Sequence, residues 1–126
     1  NFARDYIYST AMSPAMAWAS IASIEIIQKE HWRREKINEL SELFSTTLDN
    51  HIDLKATDSS IHAVVLGSEE KALSFANDLK NQGIWLTAIR PPTVAKGTSR
   101  LRVTITAAHN EKDIKHLAES INRVLN

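Results

Sequence analysis

The chain has 126 residues, of which 43% are hydrophobic, and this is enough apolar material for the core of one domain. Its 15 Lys and Arg residues balance 15 Asp and Glu residues, so no overall field would attract a nucleic acid or an anionic membrane surface. It has no cysteine, which excludes disulfides and thiolate metal sites, and we expect a cytoplasmic protein.

The start of the chain predicts a piece of a longer protein. It begins with Asn1 rather than Met, and it lacks a signal-like pattern. We expect residues 1–12 to be a connector from a large domain and residues 13–126 to form a small C-terminal domain. The most apolar stretch, residues 11–27, is interrupted by Ser and Glu and is shorter than the roughly 20 apolar residues of a membrane span.

A long helix is predicted from about Pro14, with Ser13 as its N-cap. It is expected to kink or break near Glu30, where a polar, Arg-rich segment begins. Arg33 and Arg34 fit a solvated helix face, with a phosphate site as the alternative. Apolar residues keep helical spacing at Ala17, Ile21, Ile24, Ile37, Leu40, Phe44 and Leu48.

Beyond residue 50 the pattern changes to alternating strands and helices. Residues 50–60 predict a loop and residues 61–66 a first strand. Ser68 is the expected N-cap of a helix that ends at Gly83. The buried face of that helix is expected to consist of Ala72, Leu73, Phe75, Ala76 and Leu79.

Two more strands and a helix complete the predicted fold. A second strand at residues 84–89 must stop before the two prolines that follow. From residue 101 apolar and polar residues alternate, so Leu101, Val103 and Ile105 share a core face. Asn110 is the expected N-cap of the last helix, and its buried stripe is Ile114, Leu117, Ala118, Ile121 and Leu125. The fold class is α+β, with a small, largely antiparallel sheet of about three strands covered by helices.

Residues 88–109 contain the candidate binding site. Arg102 lies on the polar face of the last strand, from which its guanidinium could bind a carboxylate with two hydrogen bonds. The alternative is an ion pair with an acid of its own chain. Thr93 follows two prolines that restrain its backbone, so its hydroxyl could contact a ligand, or it could be an ordinary turn residue.

Other polar residues allow further hypotheses. Ser9 and Thr10 precede the first long helix, where a phosphate is favoured, although on spacing alone simple capping is the better explanation. His109 could be a general base or a structural residue before the last helix. The remaining histidines show no metal-ligand spacing, so we predict no metal.

Two segments resemble the α-oxoamine synthase family of pyridoxal-phosphate enzymes of fold type I, namely AIRPPTVAKGTSRLRVTITAAH (88–109) and FARDYIYSTAMSPAMAWAS (2–20). The resemblance implies a homodimer that uses pyridoxal phosphate. It is greatest to members that form 8-amino-7-oxononanoate from L-alanine and a pimeloyl thioester, of CoA or of a carrier protein, in biotin biosynthesis. It also implies that Arg102 holds the substrate carboxylate, that Thr93 contacts substrate, and that Ser9 and Thr10 approach the cofactor phosphate.

The chain also departs from that family. The cofactor lysine, the aspartate beside the pyridine nitrogen, the stacking histidine and the glycine-rich phosphate turns belong to a large domain that this sequence does not contain. Ala95 and Ser13 stand where the family commonly has proline. We therefore expect this chain alone to be inactive, with no catalytic residue and no bound cofactor.

Two other functions remain open. The chain could be an independent module that binds a small carboxylate through Arg102, a function that needs no cofactor. It could also be a dimerisation module in which the apolar stretch at residues 11–27 seeks a partner.

Overall fold

The computed structural model describes residue 2 and residues 4–125, without the side chains of residues 5 and 6. The chain divides into two compact units, Asn1–Trp32 and Arg33–Asn126. This division falls about twenty residues later than the connector boundary expected after residue 12, and that domain boundary remains a prediction.

The described residues form five helices and four strands. In chain order these are α1 (Arg4–Tyr8), α2 (Pro14–Lys29), α3 (Trp32–Thr47), β1 (Leu54–Lys55), β2 (Ile61–Gly67), α4 (Glu69–Asn81), β3 (Thr87–Ile89), β4 (Ser99–Thr104) and α5 (Glu111–Leu125). The predicted α+β class is confirmed.

The first unit contains α1 and α2, and α2 has no buried residue. Pro14 occupies its first turn as expected. Ser13 is at the N-cap position as predicted, and its hydroxyl accepts no capping hydrogen bond. The first turn is exposed, and water can satisfy its N–H groups instead.

The predicted break near Glu30 is confirmed. The Glu30 N–H still donates to the Ile26 carbonyl at 2.8 Å, but the backbone then leaves the helical region, with φ −103° and ψ 66° at Glu30. The next helix begins at Trp32, and in α3 the side chains of Leu40 and Phe44 are buried.

The sheet has four antiparallel strands in the order β1-β2-β4-β3, not about three. Strand β1 lies in the predicted loop and pairs Leu54 with Val64 and Lys55 with Ala63. Two residues are too few to show a period-two pattern, so this strand has no signal in the sequence. Strand β3 begins at Thr87 and is shorter than the expected 84–89, and the Ile84 N–H closes α4 by donating to the Leu79 carbonyl at 2.9 Å.

The core of the second unit lies between one face of the sheet and its helices. Leu101, Val103 and Ile105 are buried as the alternation predicted. They form one cluster with buried residues of α3, β2, α4 and α5 and with Leu48 just after α3; the helix and strand residues are Leu40, Phe44, Val64, Leu79, Ile114, Ala118 and Ile121.

Side-chain caps stabilise the N-termini of α4 and α5. The Ser68 hydroxyl accepts a hydrogen bond from the Lys71 N–H at 3.2 Å, as predicted. At α5 the predicted cap Asn110 accepts from the Asp113 N–H at 3.1 Å, and the Asp113 carboxylate accepts from the Asn110 N–H at 2.9 Å. Two backbone donors at this helix start are thereby satisfied reciprocally.

Leu73 was predicted to be in the core but is 47% exposed, whereas Leu79 on the same helix is fully buried. The buried face of α4 is therefore narrower than the positions of its apolar residues predicted.

We predict that Leu79→Ala lowers the free energy of unfolding of this chain by about 2 to 5 kcal/mol, because it leaves a cavity in the core. The matched variant Leu73→Ala should cost about 0.5 kcal/mol or less, because that side chain is half in water already. Urea unfolding followed by circular dichroism measures both. Equal losses would contradict the assigned face of α4.

Candidate functional site

Arg102 lies in the middle of β4, on the face opposite the core. Its direct neighbours across the sheet are Ala63 on β2 and Thr87 on β3. Among the described side chains no carboxylate pairs with its guanidinium, so the ion pair considered as the alternative is not formed there. The guanidinium is exposed and available to a ligand.

Thr93 and Arg102 line the same open cavity of about 330 Å³. Thr93 is exposed, and its backbone is held by a turn in which its N–H donates to the Arg90 carbonyl at 3.0 Å. The cavity is lined by Lys55, Thr57, Ile61, His62, Ala63, Ile89, Thr93, Arg100 and Arg102. The two residues predicted to bind substrate are thus brought to one place, although their roles remain predictions.

Two cationic residues of this cavity were missed in the sequence. Arg100 lies two residues before Arg102 on β4, so both side chains are on one face, and this spacing was a signal that could have been used. Lys55 is on β1, the strand that the sequence did not reveal. Its ammonium contacts the Asp53 carboxylate at 2.7 Å, at a site where both side chains are more than half exposed.

Arg90, just before the two prolines, has a partner within the chain. Its Nη1 is 2.8 Å from Oε1 of Glu69, at the start of α4. This ion pair links the turn that presents Thr93 to the helix, and its exposure limits its contribution to about 1 kcal/mol or less.

His62 is on the core face of β2, where it pairs with Val103, and it is only 1% exposed. Its Nδ1 accepts a hydrogen bond from the Thr57 N–H at 3.4 Å, and its Nε2 is 3.0 Å from the Ser41 hydroxyl. Because Nδ1 is an acceptor, the proton of the neutral ring is on Nε2. Burial lowers the pKa of His62 below its ordinary value, and its neighbours Ser41, Thr57 and Phe44 carry no charge that would oppose this effect.

His109 has a structural role. The Nδ1 atom of its ring accepts a hydrogen bond from the Thr106 N–H at 3.1 Å. The backbone N–H of His109 donates to the Thr106 carbonyl at 3.1 Å. These bonds close the turn before α5. His109 lines a different cavity, of about 290 Å³, which shares no lining residue with the one around Arg102.

Ser9 and Thr10 lie between α1 and α2 in the first unit, and both are exposed. They precede α2 by several residues, and the N-cap position of that helix is Ser13. Exposed hydroxyls can donate to a phosphate oxygen, and in this respect both residues fit the cofactor role that the resemblance implies.

Among the described residues, no group of three or more His, Cys, Asp or Glu side chains is arranged to hold a metal ion. In the same part of the chain, no helix combines the length and apolarity that crossing a membrane requires.

Comparison with known proteins assigns the class. The family described as aminotransferase class I and II matches residues 1–121, and the chain belongs to this family. Within it, the resemblance to the α-oxoamine synthases is supported by a curated relative, the 8-amino-7-oxononanoate synthase of Photobacterium profundum. That enzyme is 47% identical over 126 residues, which are all of this chain and 32% of the relative.

Solved structures agree on the fold. Serine palmitoyltransferase from S. paucimobilis superposes with a TM-score of 0.86 and 26% identity, over 95% of this chain and 31% of that enzyme. The 8-amino-7-oxononanoate synthase from Francisella tularensis superposes with a TM-score of 0.79 over 98% of this chain and 36% of that one, at 21% identity. The chain therefore spans about a third of the length of the proteins it matches.

We predict that His62 makes the stability of the chain depend on pH. The pKa of His62 is lower in the folded state than the value of about 6.5 for an unfolded chain. As the pH falls, the unfolded state therefore binds more protons than the folded state does. The free energy of unfolding should therefore decrease as the pH falls through 6.5, and this decrease should stop below the lowered pKa. Urea unfolding at a series of pH values, compared with His62→Gln, measures the contribution. Identical slopes in the two proteins would contradict it.

Proposed function

We propose that this chain is the C-terminal domain of an 8-amino-7-oxononanoate synthase. The observation that carries the proposal is the Arg102 guanidinium, which faces a cavity together with Thr93 and has no carboxylate partner among the side chains that the structure describes. The likeness over the whole chain to the synthase of Photobacterium profundum supports the choice of this enzyme.

The proposed reaction joins L-alanine to a pimeloyl thioester, of CoA or of a carrier protein. A carbon–carbon bond forms between the α-carbon of alanine and the thioester carbonyl carbon. The thiol and carbon dioxide leave, and the product is 8-amino-7-oxononanoate.

Within this proposal Arg102 binds the substrate carboxylate. Two parallel N–H donors match the two oxygens of a carboxylate and fix its orientation as well as its position. Thr93 contributes a hydroxyl from a turn whose backbone is already restrained, so little entropy is lost when it binds a ligand. Both residues orient the substrate and neither transfers a proton.

Pyridoxal phosphate, when bound to the complete enzyme, would supply the stabilisation of negative charge at the α-carbon of alanine. This chain would contribute Ser9 and Thr10, whose exposed hydroxyls donate hydrogen bonds to the cofactor phosphate. The lysine that anchors the cofactor would lie in a large domain joined through residues 1–12, so the chain alone would be inactive.

A homodimer in the cytoplasm is part of the same proposal. The first unit supports it, because α2 exposes large apolar residues, including Trp18, Ile24 and Ile27. The rest of the enzyme and its second copy would cover this surface. Light scattering on the complete enzyme that gave a monomer would contradict the dimer, and cell fractionation tests the location.

The second candidate is an independent module that binds a small carboxylate or dimerises without a cofactor. The cavity at Arg102 favours it, because every residue of its lining belongs to the second unit. The coding sequence upstream of Asn1 decides between the two. A cofactor-binding lysine encoded in frame supports the synthase, whereas a stop codon followed by a local start supports the module.

We predict that Arg102→Ala in the complete enzyme lowers kcat/KM for L-alanine by an amount equivalent to about 2 to 5 kcal/mol, because the substrate carboxylate loses its charged partner. The matched control is Arg123→Ala on α5, where the same charge is removed from an arginine that contacts Gln82. Steady-state kinetics measures both. Wild-type kinetics in the Arg102 variant would refute the assignment.

We predict that Ser9→Ala and Thr10→Val each weaken binding of pyridoxal phosphate to the complete enzyme about tenfold or more, as expected when a hydrogen bond to a charged group is lost. Ser13→Ala is the control, because the Ser13 hydroxyl accepts no capping bond. Cofactor titration followed by visible absorbance gives the dissociation constants. Unchanged constants in both variants would remove Ser9 and Thr10 from the cofactor site.

A further inference from the structure

The cavity around Arg102 carries more positive charge than one carboxylate needs. Its lining includes three cationic side chains, Lys55, Arg100 and Arg102, and no acidic one. Asp53, two residues before Lys55 in the chain, forms an ion pair with it. Arg100 and Arg102 have no acidic partner among the described side chains, so the cavity keeps an excess of positive charge, which favours an anion with more than one negative group.

Strand register places two of the cations on opposite sides of a small residue. Lys55 pairs with Ala63, and Ala63 pairs with Arg102, so the three side chains form one row across β1, β2 and β4. Directly opposed residues of neighbouring strands are on the same face. Two strand spacings separate Lys55 from Arg102, which is about 9 to 10 Å between Cα atoms. The methyl group of Ala63 leaves the space between them open.

Arg100 is held in place beside this row. Its Nε donates to the Thr98 carbonyl at 2.9 Å, and it has no carboxylate partner in the described part of the chain. It is only half-exposed, and its two terminal nitrogens remain free for a ligand. A guanidinium already fixed by one backbone hydrogen bond loses less freedom when it binds an anion than a mobile lysine does.

We infer that Arg100 and Lys55 form a second anion subsite beside the one at Arg102, and that it binds a distal carboxylate or phosphate of the acyl thioester while Arg102 holds the carboxylate of L-alanine. This inference rests on the proposed function and assigns two residues of this chain to the negative group of its acyl substrate. In that reaction the distal carboxylate of the pimeloyl chain and a phosphate of its thioester carrier are the two sources of such a group.

The test uses the 126-residue chain with three probes, namely pimelate, heptanoate and inorganic phosphate. Pimelate and heptanoate have the same number of carbons, but pimelate has a carboxylate at both ends. Amide NMR shifts measured during titration give the affinities. Pimelate should bind about tenfold more tightly than heptanoate or better, because it makes an additional charge-assisted contact. Equal affinities for pimelate, heptanoate and phosphate would overturn the inference.

Variants test which residues cause the preference for pimelate over heptanoate. Arg100→Leu and Lys55→Met should reduce the affinity for pimelate to that for heptanoate, while heptanoate binding through Arg102 is retained and shows that each variant is folded. The matched controls are Arg123→Leu and Lys115→Met, which remove the same charges outside the cavity. If the controls lose as much affinity as the cavity variants, only net charge matters and the subsite is refuted.

The two anion sources are separated by the probes themselves. Preference for pimelate supports the acyl carboxylate as the occupant. Preference for phosphate, lost in Arg100→Leu, supports the subsite with the carrier phosphate as its occupant. Failure of the proposed function has a different signature: the complete enzyme would form no 8-amino-7-oxononanoate, even though the chain still prefers pimelate to heptanoate.

Discussion

The alternation along β4 is the constraint on which the second unit depends. One strand places Leu101 and Val103 in the core and, on its other face, Arg100 and Arg102 in the cavity. Since the side-chain period of a strand is two, a register slip of one residue would expose the core residues and bury two guanidinium groups. The core fixes the register, and the register places the arginines. Packing and binding are thus coupled through a single six-residue strand.

Sequence patterns predicted the parts of this fold that rest on local chemistry. The break near Glu30 and the caps at Ser68 and Asn110 were identified because their hydrogen bonds join residues close in the chain. Strand β1 was not, because two residues become a strand only by pairing with β2. The exposure of Leu73 is likewise decided by which side of α4 faces the sheet. What could not be predicted depends on contacts between distant segments.

The first unit shows the same limit in another form. Its sequence predicted a helix from Pro14, and α2 begins there, but helical periodicity does not specify what covers an apolar face. Trp18, Ile24 and Ile27 are exposed on a helix without a buried residue. A chain that spans about a third of the length of its curated relatives is expected to leave such a surface, because about two thirds of their length lies outside the matched part.

The arginines of the site show why residue type alone does not identify a binding group. Arg90 and Arg102 both lie in the segment that resembles the α-oxoamine synthases, but Arg90 is paired with Glu69 at 2.8 Å. Arg102 has no such partner among the described side chains, nor has Arg100. An arginine with an acid of its own chain stabilises a turn, whereas one that faces a cavity without an acid is available to an anionic ligand. Glu69 is 21 residues from Arg90, so only the folded structure shows which arginine is paired with an acid and which is available to a ligand.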